Sequence, residues 1–163
     1  MKYLCIGIIL FLLGIAFGAS YVGIRLNKII EQKVKDSEKF RCMYRLTERW
    51  MRIKDKQGNL ADYFNNYRYK KIAIYGMAEL GQHLVKELEN SGLEIAYGID
   101  KNVNVSSKIT ILSLDDDLPI VDVIVVTAVA YFDEIEGELS KKTNAKVISL
   151  EAVSYTHLRA HET

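Results

Sequence analysis

The stretch KIAIYGMAELG, from Lys71 to Gly81, constrains this chain more than any other. Ile72 to Tyr75 is a short apolar run suited to a buried strand, and a glycine follows at once. Leu80, Leu84, Val85 and Leu88 then recur on one face of a helix, which Ser91-Gly92 ends. Ile95 to Ile99 reads as a second strand, with Asp100 at its carboxyl end. Strand, glycine turn, helix, strand and acid in that order make a βαβ unit with a phosphate-type turn.

Each part of the turn has a physical reason. Gly76 permits a tight bend off the strand, and the small Ala78 lets backbone N–H groups approach a pyrophosphate. Gly81 lets the helix pack closely on the strand. The helix start offers free N–H donors and partial positive charge, so Met77, Ala78, Glu79 and Leu80 count among the candidate cofactor-binding positions. Asp100 is placed to accept hydrogen bonds from ribose hydroxyls, and Lys101 beside it leaves NAD and NADP both open. Two features work against a phosphate: the methyl of Ala78, where the dinucleotide fingerprint has its second glycine, and the carboxylate of Glu79. Ligand binding and a ligand-free scaffold therefore stay open.

The rest of the domain completes a sheet. Ile109 to Leu112, Val121 to Thr127 (VDVIVVT) and Lys146 to Leu150 (KVISL) read as strands, and Tyr131 to Lys142 as an amphipathic helix. The predicted fold is α/β, a small parallel sheet of about five strands in the order 3-2-1-4-5. Its switch point lies between the first and fourth strands, which adds Thr127 and Ala128 to the candidate site.

The chain ahead of this domain differs in character. Tyr3 to Ile24 carries no charge, and Lys2 before it faces Arg25, Lys28, Lys33, Lys35 and Lys39 after it. Length and charge bias predict one transmembrane helix over residues 1–25, with the carboxyl side cytoplasmic. A cleaved signal peptide ending near Gly18-Ala19-Ser20 is the rival. Gly14 and Gly18 form a GxxxG pair, and Cys5 reads as an apolar residue or an acylation site. Residues 26–58 read as a long basic connecting helix, ended by Gly58 and Asn59. Its stripe Phe40, Met43, Leu46, Trp50 and Ile53 has three open uses: packing on the domain, pairing with another copy, or lying on membrane lipid.

Charge excludes one class of partner. Residues 25–60 hold 11 basic and 5 acidic side chains, whereas 61–152 hold 9 basic and 15 acidic. A nucleic-acid-binding domain is not expected of an acidic domain on a basic linker. Two cysteines exclude a disulfide framework or a cysteine-based zinc site. The last residues, 153–163, resemble a translated sequencing adapter and are set aside as a non-native tail. His157 and His161 leave with them, so His83 remains the one histidine and no two-histidine metal site is expected. The domain is then 59–152.

The stretch from Ile72 to Asn102 resembles the Rossmann-type nucleotide-binding module of bacterial surface-polysaccharide biosynthesis proteins, among them membrane-associated nucleotide-sugar epimerases and sugar transferases. The resemblance covers residues 70–152. It implies binding of NAD or a nucleotide-sugar through Gly76, Ala78, Gly81 and Asp100. It does not imply catalysis, because the epimerase domain is absent. The expectation is a bacterial inner-membrane protein, single-pass, whose module binds NAD(P) or a nucleotide-sugar. It would support a polysaccharide-biosynthesis enzyme, alone or as a homo-oligomer. A truncated enzyme continuing past Ala152 and a structural scaffold are the alternatives. An S-adenosylmethionine site would also use an acid such as Asp100, on a different glycine turn.

Overall fold

The computed structural model describes residues 2–160, with side chains described at positions 7, 14, 15 and 17–156. The chain divides into two compact units, Met1–Arg41 and Cys42–Thr163.

The first unit lies within helix α1 (Lys2–Asp55), which has no break near residue 25. Among the described residues no helix is long and apolar enough to cross a membrane. This corrects the expected transmembrane helix over residues 1–25. It also corrects the single-pass inner-membrane placement, with its cytoplasmic domain, that was built on that helix. Nor does α1 end where the uncharged run does: it continues past Ile24 into Arg25, Lys28, Glu31 and Lys33 without a break, as one helix to Asp55. Cys5, weighed for acylation, lies outside the described side chains.

The second unit holds the end of α1 and every later element. These are α2 (Ala61–Asn66), β1 (Lys71–Tyr75), α3 (Glu79–Leu88), β2 (Glu94–Ile99), β3 (Ile111–Leu112), β4 (Val123–Val126), a 3-10 turn (Val129–Tyr131), α4 (Phe132–Leu139), β5 (Lys146–Ser149) and α5 (Leu150–Ala160). The five strands form one sheet in the order β3-β2-β1-β4-β5. All four pairings are parallel, as the apolar strands and intervening helices predicted.

Period-two alternation divides the sheet residues between two layers. Ile72, Ile74, Val123 and Val125 meet Leu84, Val85 and Leu88 of α3 on one face. Ala73, Tyr75, Tyr97, Ile124 and Val126 meet Ile135 and Leu139 of α4 on the other. The end of α1 joins the first face. Leu46, Trp50 and Ile53 are buried there, at about 1.5–3 kcal/mol per fully buried apolar side chain. Phe40, by contrast, is exposed. Packing on the domain is thus the use to which the carboxyl half of the apolar stripe is put.

Glu87 of α3 fixes that docking. Its side chain is 4 % exposed and lies 2.7 Å from the Lys54 ammonium. It also accepts the Trp50 indole N–H at 2.7 Å and the Leu60 backbone N–H at 2.9 Å. A buried carboxylate is tolerable only when so well supplied with donors.

Both short helical ends use left-handed residues other than glycine. Gln57 (φ 58°) ends α1, with Gly58 N–H donating to the Ile53 carbonyl and Gln57 N–H to Lys54. Arg68 (φ 61°) repeats the motif after α2, with Tyr69 N–H to Phe64 and Arg68 N–H to Asn65. This is the Schellman pattern, and Gly58 sits one position beyond the residue that bends. The N-cap position of α2 is Leu60, not Asn59; Asn59, one residue before it, accepts the Ala61 N–H at 2.9 Å.

Candidate functional site

Parallel strands direct their carboxyl ends to one rim of the sheet, and the crossovers part between β1 and β4. A cleft of about 450 Å³ opens there. Gly76, Ala78, Asp100, Lys101 and Ala128 of the predicted set line it. Tyr75, Tyr131, Ile135, Glu134 and Glu138 line it as well.

The glycine turn is a tightly interlocked object. Gly76 has φ 90°, which disfavours any side chain, and a Cβ there would lie 2.7 Å from Thr127 Oγ1. Thr127 is 5 % exposed; its hydroxyl lies 2.6 Å from the Gly76 carbonyl and 3.1 Å from that of Tyr75, so it donates to this pair. A Cβ on Gly81 would overlap the Gly76 carbonyl oxygen, which is backbone and cannot yield. Gly81 is therefore a packing residue first. Ala78 has φ −67°, which any L-residue adopts, so its methyl costs no strain where the fingerprint has glycine.

Asp100 joins β2 to this turn. Its Oδ2 accepts the Met77 N–H at 2.7 Å and its Oδ1 the Asn102 N–H at 2.9 Å. The Met77 side chain is fully buried, and a Cβ on Gly98 would meet its Cγ and Sδ at 2.7 Å. Met77 thus offers the turn its N–H while its side chain fills core. Gln82 closes the outer edge, donating to the Met77 and Ser106 carbonyls at 3.2 Å each.

The remaining predicted residues lie elsewhere. Leu80 lines a different groove, shared with Trp50, His83 and Glu87 between α3 and the end of α1. Glu79 is exposed in the first turn of α3. The missed residues had a faint signal. Tyr75 ends β1 on the face opposite Ile74, and Glu134 and Glu138 are one helical turn apart in α4.

The electrostatics follow from that lining. Asp100, Glu134 and Glu138 face one cation, Lys101. Burial pushes the Tyr75 hydroxyl above its usual pKa, and the carboxylates of Glu138, Asp100 and Glu134 push it further. Among the described residues no group of three or more His, Cys, Asp or Glu side chains is arranged to hold a metal ion. His83 is an exposed residue of the other groove, apart from this cleft. What the arrangement offers chemically is recognition: carboxylate acceptors for hydroxyl or cationic donors, beside the amide donors at the start of α3. No protein-family model, no curated protein and no solved structure matches the chain.

Proposed function

We propose that this chain is a binding module for a ribonucleotide-type ligand, NAD(P) or a nucleotide-sugar. Its role would be to position or inform a partner enzyme rather than to carry out chemistry. The observation that supports this best is Asp100, which stands at the end of β2 and lines a cleft at the switch point with Gly76 and Ala128. A carboxylate there receives ribose hydroxyls in doubly wound sheets. A volume of about 450 Å³ lies within the range of small-molecule sites. The resemblance to polysaccharide-biosynthesis modules supplies the biological setting, support of a surface-polysaccharide enzyme.

A ligand-free scaffold is favoured by a different observation. Both Asp100 oxygens already accept backbone N–H groups. One experiment separates the two readings: calorimetric titration of the full chain with NAD, NADP, a uridine diphosphate sugar and S-adenosylmethionine. Binding of one of them, weakened at least tenfold in a folded Asp100→Asn variant, supports the module. A folded chain that binds none of the four leaves the scaffold.

A further inference from the structure

Tyr97 and Tyr75 face the same layer of the core, and their hydroxyls are treated differently. Tyr97 donates to the Pro119 carbonyl at 2.8 Å. Tyr75 is only 6 % exposed, yet its hydroxyl has no hydrogen-bond partner among the described residues. Buried polar groups are nearly always paired, so this hydroxyl is left to water or to a ligand entering the cleft. It lines the cleft beside Asp100, Glu134 and Glu138. The last two come from one face of α4, four residues apart. Lys101 is the one cation on the lining.

A pyrophosphate laid against α4 would meet carboxylates with no cation from that helix. A positive centre laid there would meet two carboxylates and a phenolic oxygen with a free lone pair. Aromatic rings from Tyr75 and Tyr131 border the same space, which suits a soft, weakly hydrated cation better than a compact metal ion.

We propose that the cleft selects a nucleoside carrying a positive centre, with the ribose at Asp100 and the cationic group toward Tyr75, Glu134 and Glu138. This rests on the ribonucleotide reading above and narrows its ligand class. Two sources share that chemistry: a sulfonium nucleoside and an oxidised nicotinamide nucleotide.

Paired probes that differ in the charge test it without any mutation. The full chain is titrated with S-adenosylmethionine against S-adenosylhomocysteine, and with oxidised against reduced NAD. The expected result is a preference of about tenfold or more for the charged member of one pair. The pair that shows it names the source. In Glu134→Gln/Glu138→Gln, both on a helix surface, the preference should shrink to within about threefold. Equal affinities within both pairs overturn the charge selection and leave the ribonucleotide reading standing. So does binding of a uridine diphosphate sugar alone. A folded chain that binds none of these probes overturns both.

Discussion

The Asp100 carboxylate accepts the backbone N–H of Met77 at 2.7 Å, and so ties the end of β2 to the glycine turn after β1. The residue expected to recognise a ribose is thus also a structural brace, because its other oxygen holds the Asn102 N–H at 2.9 Å. Asp100→Ala leaves two amides without that acceptor, and a loss of about 1–3 kcal/mol in urea unfolding is expected. Asp100→Asn keeps one acceptor oxygen, so its loss should be the smaller. Equal urea midpoints for the wild type and the alanine variant would refute the bracing role.

Gly81→Ala tests the turn from beneath. A methyl at this position overlaps the Gly76 carbonyl oxygen, so either the start of α3 shifts or the strand end does. Overpacking of this kind costs about 1–3 kcal/mol or more. A larger substitution such as Gly81→Asp therefore reports on folding before it reports on ligand binding. A thermal scan decides: a variant that melts with the wild type would show that the turn relaxes freely.

The parts of this fold that were legible in the sequence are those that local pattern dictates. Apolar runs at Ile72–Tyr75 and Val123–Val126, separated by amphipathic helices, leave little choice but a parallel sheet with right-handed crossovers. Strand ends were harder to read, because side chains leave the ladder to serve neighbours. Asp122 turns aside to hold the start of β1, and Thr127 to hold the glycine turn. The cleft was half legible. Gly76 and Asp100 carry a motif, whereas Tyr75 looks like one more core residue of a strand. Glu134 and Glu138 look like a solvated helix face until α4 is folded over the sheet. The apolar amino-terminal run misled for a different reason. Absence of charge over Tyr3 to Ile24 is a composition signal, whereas among the described residues no helix is long and apolar enough to cross a membrane.

Glu87→Ala should loosen the end of α1 from α3. It removes the acceptor of the Trp50 indole and of the Leu60 amide, and leaves both donors part-buried. Unsatisfied buried donors cost about 1–3 kcal/mol each, so a loss of at least ~2 kcal/mol is expected. Trp50 is the sole tryptophan, so its emission reads this site alone. The variant should emit further to the red at low denaturant. An unshifted spectrum with unchanged stability would mean that apolar burial of Leu46 and Ile53 suffices to hold the helix.

Asp122 gives a pH dependence with a definite sign. The Lys71 and Lys70 backbone N–H groups donate to its Oδ2 at 2.8 and 2.7 Å, and these bonds hold its pKa below the ordinary 3.8. A carboxyl whose folded pKa is lowered stabilises the fold above its unfolded pKa. That contribution is lost as pH falls through the lowered folded value. The wild type should therefore exceed Asp122→Asn in stability at neutral pH, and the gap should close as pH drops below 3.8. The group is exposed, so the gap at neutral pH is small. Parallel stability curves for the two proteins across that range would rule out the linkage.

The two core tyrosines make the last comparison, and it bears on the cleft. Tyr97→Phe removes a hydroxyl that donates to the Pro119 carbonyl, and strands that acceptor in a partly buried site. A loss of about 1 kcal/mol is expected. Tyr75→Phe removes a hydroxyl that has no partner among the described residues, so the free chain should be as stable as before or slightly more so. Urea unfolding of the two variants, each against the wild type, separates them. If Tyr75→Phe destabilises as much as Tyr97→Phe, the Tyr75 hydroxyl already has a bonding partner in the free chain. The cleft would then offer no free oxygen to a ligand, and its recognition would fall to Asp100, Glu134 and Glu138.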